Sequence, residues 1–257
     1  MTAPLAKIRD LPLPQDRVDR PLAGFARDYA SSSTGWHLHR RAQLIYSIQG
    51  VMRIDTRAAG YVVPPGRALW VPAGTEHIVA MDGMIAMRAL FLRADAAQAG
   101  PAEVTVMAVS ALLHELILAA CAEPVEWDLA GRGTHLAALI LDEIARAPSL
   151  PLGLPQPRDA RLRRLAEALR AAPASAQTLE DWAAACGASP RTLSRLFRRE
   201  TGMSFGEWRL ALRLAEASAL LATGTPPARA GAAVGYASAS AFGAAYRRAF
   251  GVTPAGR

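Results

Sequence analysis

Apolar and polar positions alternate in short runs from Trp36 to Leu92, and from about Ser110 the apolar period lengthens from two to three or four. The first region predicts strands over 42–49, 51–57, 61–63, 68–71, 77–81 and 85–92. Turns at Ala58-Ala59-Gly60, Pro64-Pro65-Gly66, Pro72-Ala73-Gly74 and Asp82-Gly83 part them. Such spacing reads as an antiparallel sandwich or small barrel. The second region predicts helices with stripes Leu112, Leu113, Leu116, Ile117 and Leu136, Leu139, Ile140, Ile144. These stripes suit an antiparallel helix pair that covers the sheet or meets a second subunit. Residues 1–30, with Pro12, Pro14 and Pro21, suit an extended arm. Pro148, Pro151, Pro155 and Pro157 stop any helix and start none, which makes 148–157 an interdomain linker.

The last hundred residues carry one design twice. A short helix over 179–186 and a turn at Gly187-Ala188 lead to Ser189, which caps a second helix with Pro190 at its first position. Leu193, Leu196 and Phe197 mark the inward side of that helix, leaving Arg191, Thr192, Arg195, Arg198 and Arg199 outward. The second copy runs over 228–234, turns at Gly235-Tyr236-Ala237 and is capped by Ser238; Phe242, Tyr246 and Phe250 form its stripe, and Gly251 with Pro254 ends it. With the Ser caps aligned, Arg191, Arg195 and Arg198 correspond to Ser240, Ala244 and Arg247, so the second outward face is poor in hydrogen-bonding groups before Arg247 and Arg248. Between the copies, 205–222 predicts one helix of about 27 Å at ~1.5 Å per residue. That approaches the ~34 Å between successive major grooves on one side of B-DNA. Trp182 and Trp208 read as core residues.

Charge follows the same division. Residues 158–257 hold 15 Arg against 7 Asp or Glu, near +8, whereas the other 157 residues carry 14 basic and 15 acidic side chains, near −1. The basic excess therefore belongs to one domain built of helix-turn-helix units, which points to duplex DNA. Any one exposed Arg on a helix is most often a solvated charge; the joint pattern is what carries the reading. Cys121 and Cys186 lack zinc-finger spacing and read as small buried apolar residues. No secretion signal and no run of about 18 apolar residues is present, so a soluble, cytoplasmic, non-membrane protein is expected.

Leu179-Glu-Asp-Trp-Ala-Ala-Ala-Cys-Gly-Ala-Ser-Pro-Arg-Thr-Leu-Ser-Arg-Leu-Phe-Arg-Arg-Glu-Thr-Gly202, then Val234-Gly-Tyr and Phe250-Gly-Val-Thr-Pro254, resembles the AraC/XylS family of transcription regulators over about 158–254. Pro227 and Ala230 stand where larger aliphatic residues are usual, and Gly231 inside a short helix costs about 1 kcal/mol relative to Ala, so a looser second unit is expected. His37-Leu-His39-Arg-Arg-Ala-Gln43 with Gly50, and Gly66 with Pro72-Ala-Gly74-Thr-Glu-His77, resemble the two motifs of the cupin barrel, with Gln43 in place of Glu and Met81 in place of Asn. The resemblance implies an α+β chain: a cupin-like antiparallel barrel with helices over 1–147, a linker over 148–157, and an all-α DNA-binding domain over 158–257. It also implies effector sensing, dimerisation and action on RNA polymerase.

His37 and His39 fall on one side of an extended segment, and His77 comes from another strand. Three imidazoles and the Gln43 amide suit a divalent metal such as Zn, Ni or Fe, or equally an effector oriented by hydrogen bonds; a His pair that is merely structural is the plainer alternative. Arg40 and Arg41 either attract an acidic effector or are simply solvated.

These features favour a sequence-specific, effector-responsive regulator, an activator of a nearby transporter or metabolic gene. DNA contacts are expected from Ser189, Arg191, Thr192, Arg195, Arg198, Arg199, Ser238, Ser240, Arg247 and Arg248. The alternative is a metal-dependent cupin enzyme fused to a DNA-targeting module, against which no paired carboxylate or nucleophile–base set is visible beside the histidines. A non-specific nucleoid or RNA-binding protein is a third class, disfavoured because it needs no two-groove spacing and no Arg-bearing helix pair.

Overall fold

The fold is described from a computed structural model, which covers residues 6–7 and 13–255. The chain is α+β and divides into two compact units: one holds the chain up to Thr56 with Tyr61–Leu150, the other Arg57–Gly60 with Pro151–Arg257.

In the first unit, strands β1 (Ala6–Lys7), β2 (Leu22–Tyr29), β3 (Ser32–Ser33), β4 (Ala42–Gln49), β5 (Met52–Thr56), β6 (Ala59–Val63), β7 (Arg67–Val71), β8 (His77–Met81), β9 (Ile85–Leu92), β10 (Thr105–Ala108) and β11 (Ser149–Leu150) form two sheets. One runs β1-β3-β8-β5-β6, the other β11-β10-β7-β4-β9-β2. Pairing is antiparallel across β2–β9, β4–β9, β4–β7 and β5–β8, whereas the two-residue β1–β3 pairing is parallel. Period two explains which side each residue takes. Ala42, Leu44 and Tyr46 on β4 pack with Leu22, Trp70, Leu90 and Leu92 beneath the helices α1 (Ala111–Ala122) and α2 (Arg132–Arg146). Gln43, Ile45 and Ser47 on the other side of β4 are buried as well.

Three expectations change here. The proline-containing arm is not simply extended: Pro14–Asp16 is a 3-10 turn and Leu22–Tyr29 pairs along its whole length with β9, while residues 1–5 and 8–12, with Pro12, lie outside the described residues. The strand escaped notice because its far end, Ala26–Asp28, is exposed and breaks the alternation. Leu112 and Leu139 are about half exposed, since the inward arcs of their helices centre on Leu113, Leu116, Ile117 and Ala120, and on Leu136, Ala137, Ile140 and Ile144. The 148–157 segment contains no helix but is not irregular: β11 pairs with β10, and β12 (Gly153–Pro155) belongs to the second unit, where Gln156 N–H donates to the Ala58 carbonyl at 2.8 Å. Cys121 and Cys186 are free and half-buried; burial pushes the Cys121 thiol up to about 11.

The second unit is helical: α3 (Ala160–Ala171), α4 (Leu179–Ala185), α5 (Pro190–Thr201), α6 (Phe205–Ala222), α7 (Pro227–Ala233) and α8 (Ala239–Phe250). It has two cores. Leu162, Leu165, Leu169, Leu193, Phe197, Phe205, Trp208 and Leu212 form the first. Leu214, Ala217, Val234, Phe242 and Tyr246 form the second. Helix α6 thus supplies its first half to one core and its second half to the other. Trp208 is fully buried, its indole N–H donating to the Pro155 carbonyl at 2.9 Å. Trp182 packs against the first core while half-buried.

Gly231 does not loosen the second copy. A Cβ there would lie 2.8–2.9 Å from the Phe242 side chain, so the missing side chain is what lets α7 close onto α8. The propensity cost of glycine is offset by aromatic packing that alanine would force apart. Gly231→Ala is therefore expected to destabilise by about 1–3 kcal/mol through overpacking, rather than to stabilise by the ~1 kcal/mol that helix propensity alone favours. Urea unfolding followed by Trp fluorescence and circular dichroism checks the sign.

Candidate nucleic-acid interface and histidine cluster

Each helix-turn-helix copy is set by local chemistry. Thr178 and Asp181 form a reciprocal capping box at the start of α4, and the Ser189 hydroxyl accepts from Thr192 N–H at the start of α5. Gly202 takes the left-handed conformation that ends α5, and Gly251 does the same for α8, whose start is capped by Ser238. With Leu193, Leu196 and Phe197 buried, Arg191, Thr192, Arg195, Arg198 and Arg199 are all exposed on α5. Ser194 shares that exposed side one turn after Arg191, a polar group the Arg spacing overshadowed. On α8, Ser240, Ala244, Arg247 and Arg248 are exposed while Phe242 and Tyr246 are buried.

Arg213 sits where α6 passes from one core to the other. Its Nε donates to the Pro173 carbonyl at 2.9 Å, Nη2 to Ser175 at 3.1 Å and Nη1 to Gly235 at 3.1 Å. The first two carbonyls precede α4, and the third lies in the turn before α8. Gly235 has φ +89°, and a Cβ there would lie 2.8 Å from both Ala174 and Arg213. This arginine was not among the residues singled out from sequence, because a lone Arg within a helical stretch carries no signal of its own.

In the first unit, main-chain register assembles the histidines. His37 and His77 exchange N–H···O bonds of 3.0 and 2.9 Å, and Gly74 N–H donates to the His39 carbonyl at 2.8 Å. Directly paired residues share a side, as do residues two apart, so the three rings converge. Ring centroids are 4.3 Å apart for His37–His77, 5.0 Å for His37–His39 and 5.8 Å for His39–His77. One ring nitrogen of each lies within 4.8 Å of the others. Gln43 is placed cross-strand from Phe91, whose ring packs 4.9 Å from that of His39.

Tautomers follow from the partners. Nδ1 of His37 meets the Gly35 carbonyl at 2.9 Å, that of His77 the Thr75 carbonyl at 2.9 Å, and that of His39 the Asp16 carboxylate at 2.6 Å. Carbonyls and carboxylates only accept, so each neutral ring carries its proton on Nδ1 and a lone pair on Nε2. Burial pushes His77 down to about 4, with the neighbouring imidazoles adding to the effect and the Thr75 carbonyl opposing it, so this ring is neutral at pH 7. Its buried Nε2 and the buried Oε1 of Gln43 have no hydrogen-bond partner.

Asp16 is a single carboxylate beside these histidines; it arrives from the 3-10 turn, too far away in sequence to be paired with His39 by spacing. Arg41 is likewise neither solvated nor open to an acidic ligand: it is buried and donates to the carbonyls of Val18 and Arg20, pinning the segment after that turn. Arg40 is exposed. Among the described residues no helix is long and apolar enough to cross a membrane.

Residues 21–184 match the profile of an AraC-like ligand-binding domain and residues 182–256 that of a helix-turn-helix domain. The HTH-type transcriptional regulator NimR of Escherichia coli (strain K12) is 30% identical over 218 residues, covering 85% of this chain and 80% of NimR. The regulator RipA of Corynebacterium glutamicum is 40% identical over 119 residues, 46% of this chain and 34% of RipA. Among solved structures, the C-terminal domain of AraT from Geobacillus stearothermophilus is 31% identical, covering 38% of this chain and 82% of that domain with a TM-score of 0.36. ToxT from Vibrio cholerae is 8% identical, covering 91% and 97% of the two chains with a TM-score of 0.37.

Proposed function

The chain belongs to the AraC family of transcription regulators, and from that premise we propose that it is a cytoplasmic, sequence-specific activator that answers a small-molecule effector at a nearby transporter or metabolic gene. The observation that carries this reading is the single helix α6 shared by two helix-turn-helix cores, each presenting a Ser-capped helix. In the proposed division, 1–147 senses, 158–257 binds DNA, and the segment between them joins the two.

The two outward helix surfaces differ in what they offer. Arg191, Arg195 and Arg198 lie within reach of one groove, where Arg makes paired bonds to guanine O6 and N7. At the matching positions of α8 stand Ser240, Ala244 and Arg247. The first copy therefore supplies most of the base discrimination, together with Ser189, Thr192 and Arg199, while Ser238, Arg247 and Arg248 anchor phosphates.

In the sensor, His37, His39, Gln43 and His77 bind the effector, directly or through a divalent metal. The orphaned Nε2 of His77 and Oε1 of Gln43, with the Nδ1 of each of the three histidines committed to an oxygen, fit a Zn, Ni or Fe ion held by three imidazoles and an amide oxygen. Such an ion supplies a Lewis-acidic coordination position for an effector donor. Asp16 holds the His39 ring in the required tautomer, a role that outer carboxylates commonly take toward metal-binding histidines. The half-exposed Leu112 and Leu139 support a homodimer formed through α1 and α2, and the activator acts by recruiting RNA polymerase.

Three outcomes are expected. Arg195→Ala costs about 1–3 kcal/mol on a bound operator and relaxes preference at one base pair, whereas Arg247→Ala weakens all sequences alike; operator scanning that places the larger base penalties under α8 overturns the division of labour. Tag-free protein carries stoichiometric metal by elemental analysis, and Asp16→Asn lowers its affinity about 10–100-fold in chelator competition; metal-free protein whose effector response survives His37→Ala with His39→Ala removes the metal reading. Light scattering gives a dimer mass that Leu112→Lys with Leu139→Lys reduces to that of a monomer; a monomer at every concentration, with and without DNA, defeats the dimer.

A further inference from the structure

Beside Arg213 lies a cavity of about 190 Å³ lined by Gly206, Arg209, Leu210, Arg213 and Tyr236. It exceeds by several fold the ~30 Å³ that one water occupies in the liquid. Its polar walls consist of donors. Arg213 commits one N–H at each of its three nitrogens to a carbonyl, which leaves two of the five guanidinium N–H groups. Arg209 donates to the Gln177 carbonyl at 3.0 Å, and its guanidinium lies 5.0 Å over the Phe205 ring, leaving further N–H groups uncommitted. The Tyr236 hydroxyl is buried with no hydrogen-bond partner, although its ring is fixed against Phe242 at 5.3 Å. Burial and the nearby Arg209 guanidinium both lower the Arg213 pKa. Two cations a helical turn apart, beside an unused hydroxyl and with no acidic side chain among the lining residues, favour an anion with several acceptor oxygens.

Position indicates the source of that anion. The Ser175 and Gln177 carbonyls precede the Thr178 cap of α4, and Gly235-Tyr236 precede the Ser238 cap of α8. The cavity thus lies between the loop that enters α4 of the first copy and the inter-helix turn that enters α8 of the second. A duplex whose adjacent major grooves receive α5 and α8 has to carry its sugar–phosphate backbone across the space between them. We propose that this cavity seats a backbone phosphodiester of the bound duplex, gripped by Arg209, Arg213 and the Tyr236 hydroxyl, at the midpoint of the α6 spacer. The proposal rests on DNA binding by the chain but assigns residues that the outward surfaces of α5 and α8 do not include.

The test uses the full chain and a random-sequence duplex about four helical turns long, with binding followed by anisotropy over a salt series. Arg209→Gln is expected to make the slope of log K against log salt shallower by about 0.9, the signature of one lost phosphate contact. Tyr236→Phe, which keeps the ring packing, is expected to weaken binding about tenfold. Arg132→Gln removes the same charge from the sensor unit and leaves both quantities unchanged. Circular dichroism melts establish that each variant folds. An Arg209→Gln slope equal to that of wild type, with Tyr236→Phe at wild-type affinity, overturns the seat. Saturable thermal stabilisation by inorganic phosphate, combined with wild-type duplex binding in both variants, overturns the backbone as its source. Failure of the wild-type chain to bind any duplex instead overturns the underlying premise.

Discussion

The changeover at Arg213 is the constraint on which the DNA-binding unit depends. Leu212 packs into the first core of the second unit and Leu214 into the other, so opposite sides of one helical turn serve two separate hydrophobic clusters. Between them, one guanidinium reaches three carbonyls that come from both sides of the junction. A flat group with divergent donors can hold three carbonyls of two main-chain segments at once, whereas a lysine ammonium offers a point charge on a flexible stem. Side-chain packing sets the rotation of each copy about α6, and the hydrogen bonds set how the flanking turns meet it. The spacing of the two Ser-capped helices α5 and α8 is thereby a property of a continuous rod rather than of a linker.

The sensor follows a related rule, with main-chain register in the place of a shared helix. The reciprocal bonds of His37 and His77 bring two imidazoles to one side of the sheet, and the His39 carbonyl, bonded to Gly74, brings the third. Oxygen acceptors meet every Nδ1, and the buried Nε2 of His77 is left without a hydrogen-bond partner. The buried His77 Nε2 and Gln43 Oε1, which have no hydrogen-bond partner, are costly to bury so, and proteins keep such groups where they serve a ligand.

The second unit uses glycine for close approach, and there local rules mislead. Helix propensity counts Gly231 as a defect, yet the Phe242 ring occupies the space where its side chain would be. The weight of a single helix residue is set by what packs on it, and neighbours in space outrank the residue's intrinsic preference.

Period and punctuation settled much of this protein within the chain itself. Alternation predicted β4, β8 and β9 to their ends, the Ser caps opened α5 and α8, Gly251 closed α8, and an unbroken pattern delimited α6. Those signals are local, since hydrogen-bonded caps and amphipathic periods involve residues within a turn of one another. The histidines were legible as a group because motif resemblance stood in for distance. Tertiary structure alone decided the rest: that Asp16 meets His39, that Arg41 is spent on the carbonyls of Val18 and Arg20, that Leu112 and Leu139 face outward, and that Arg213 joins turns 22 to 40 residues away. Each of these depends on two segments distant in sequence arriving at one place, and no periodicity records which partner a side chain will meet once the chain has folded.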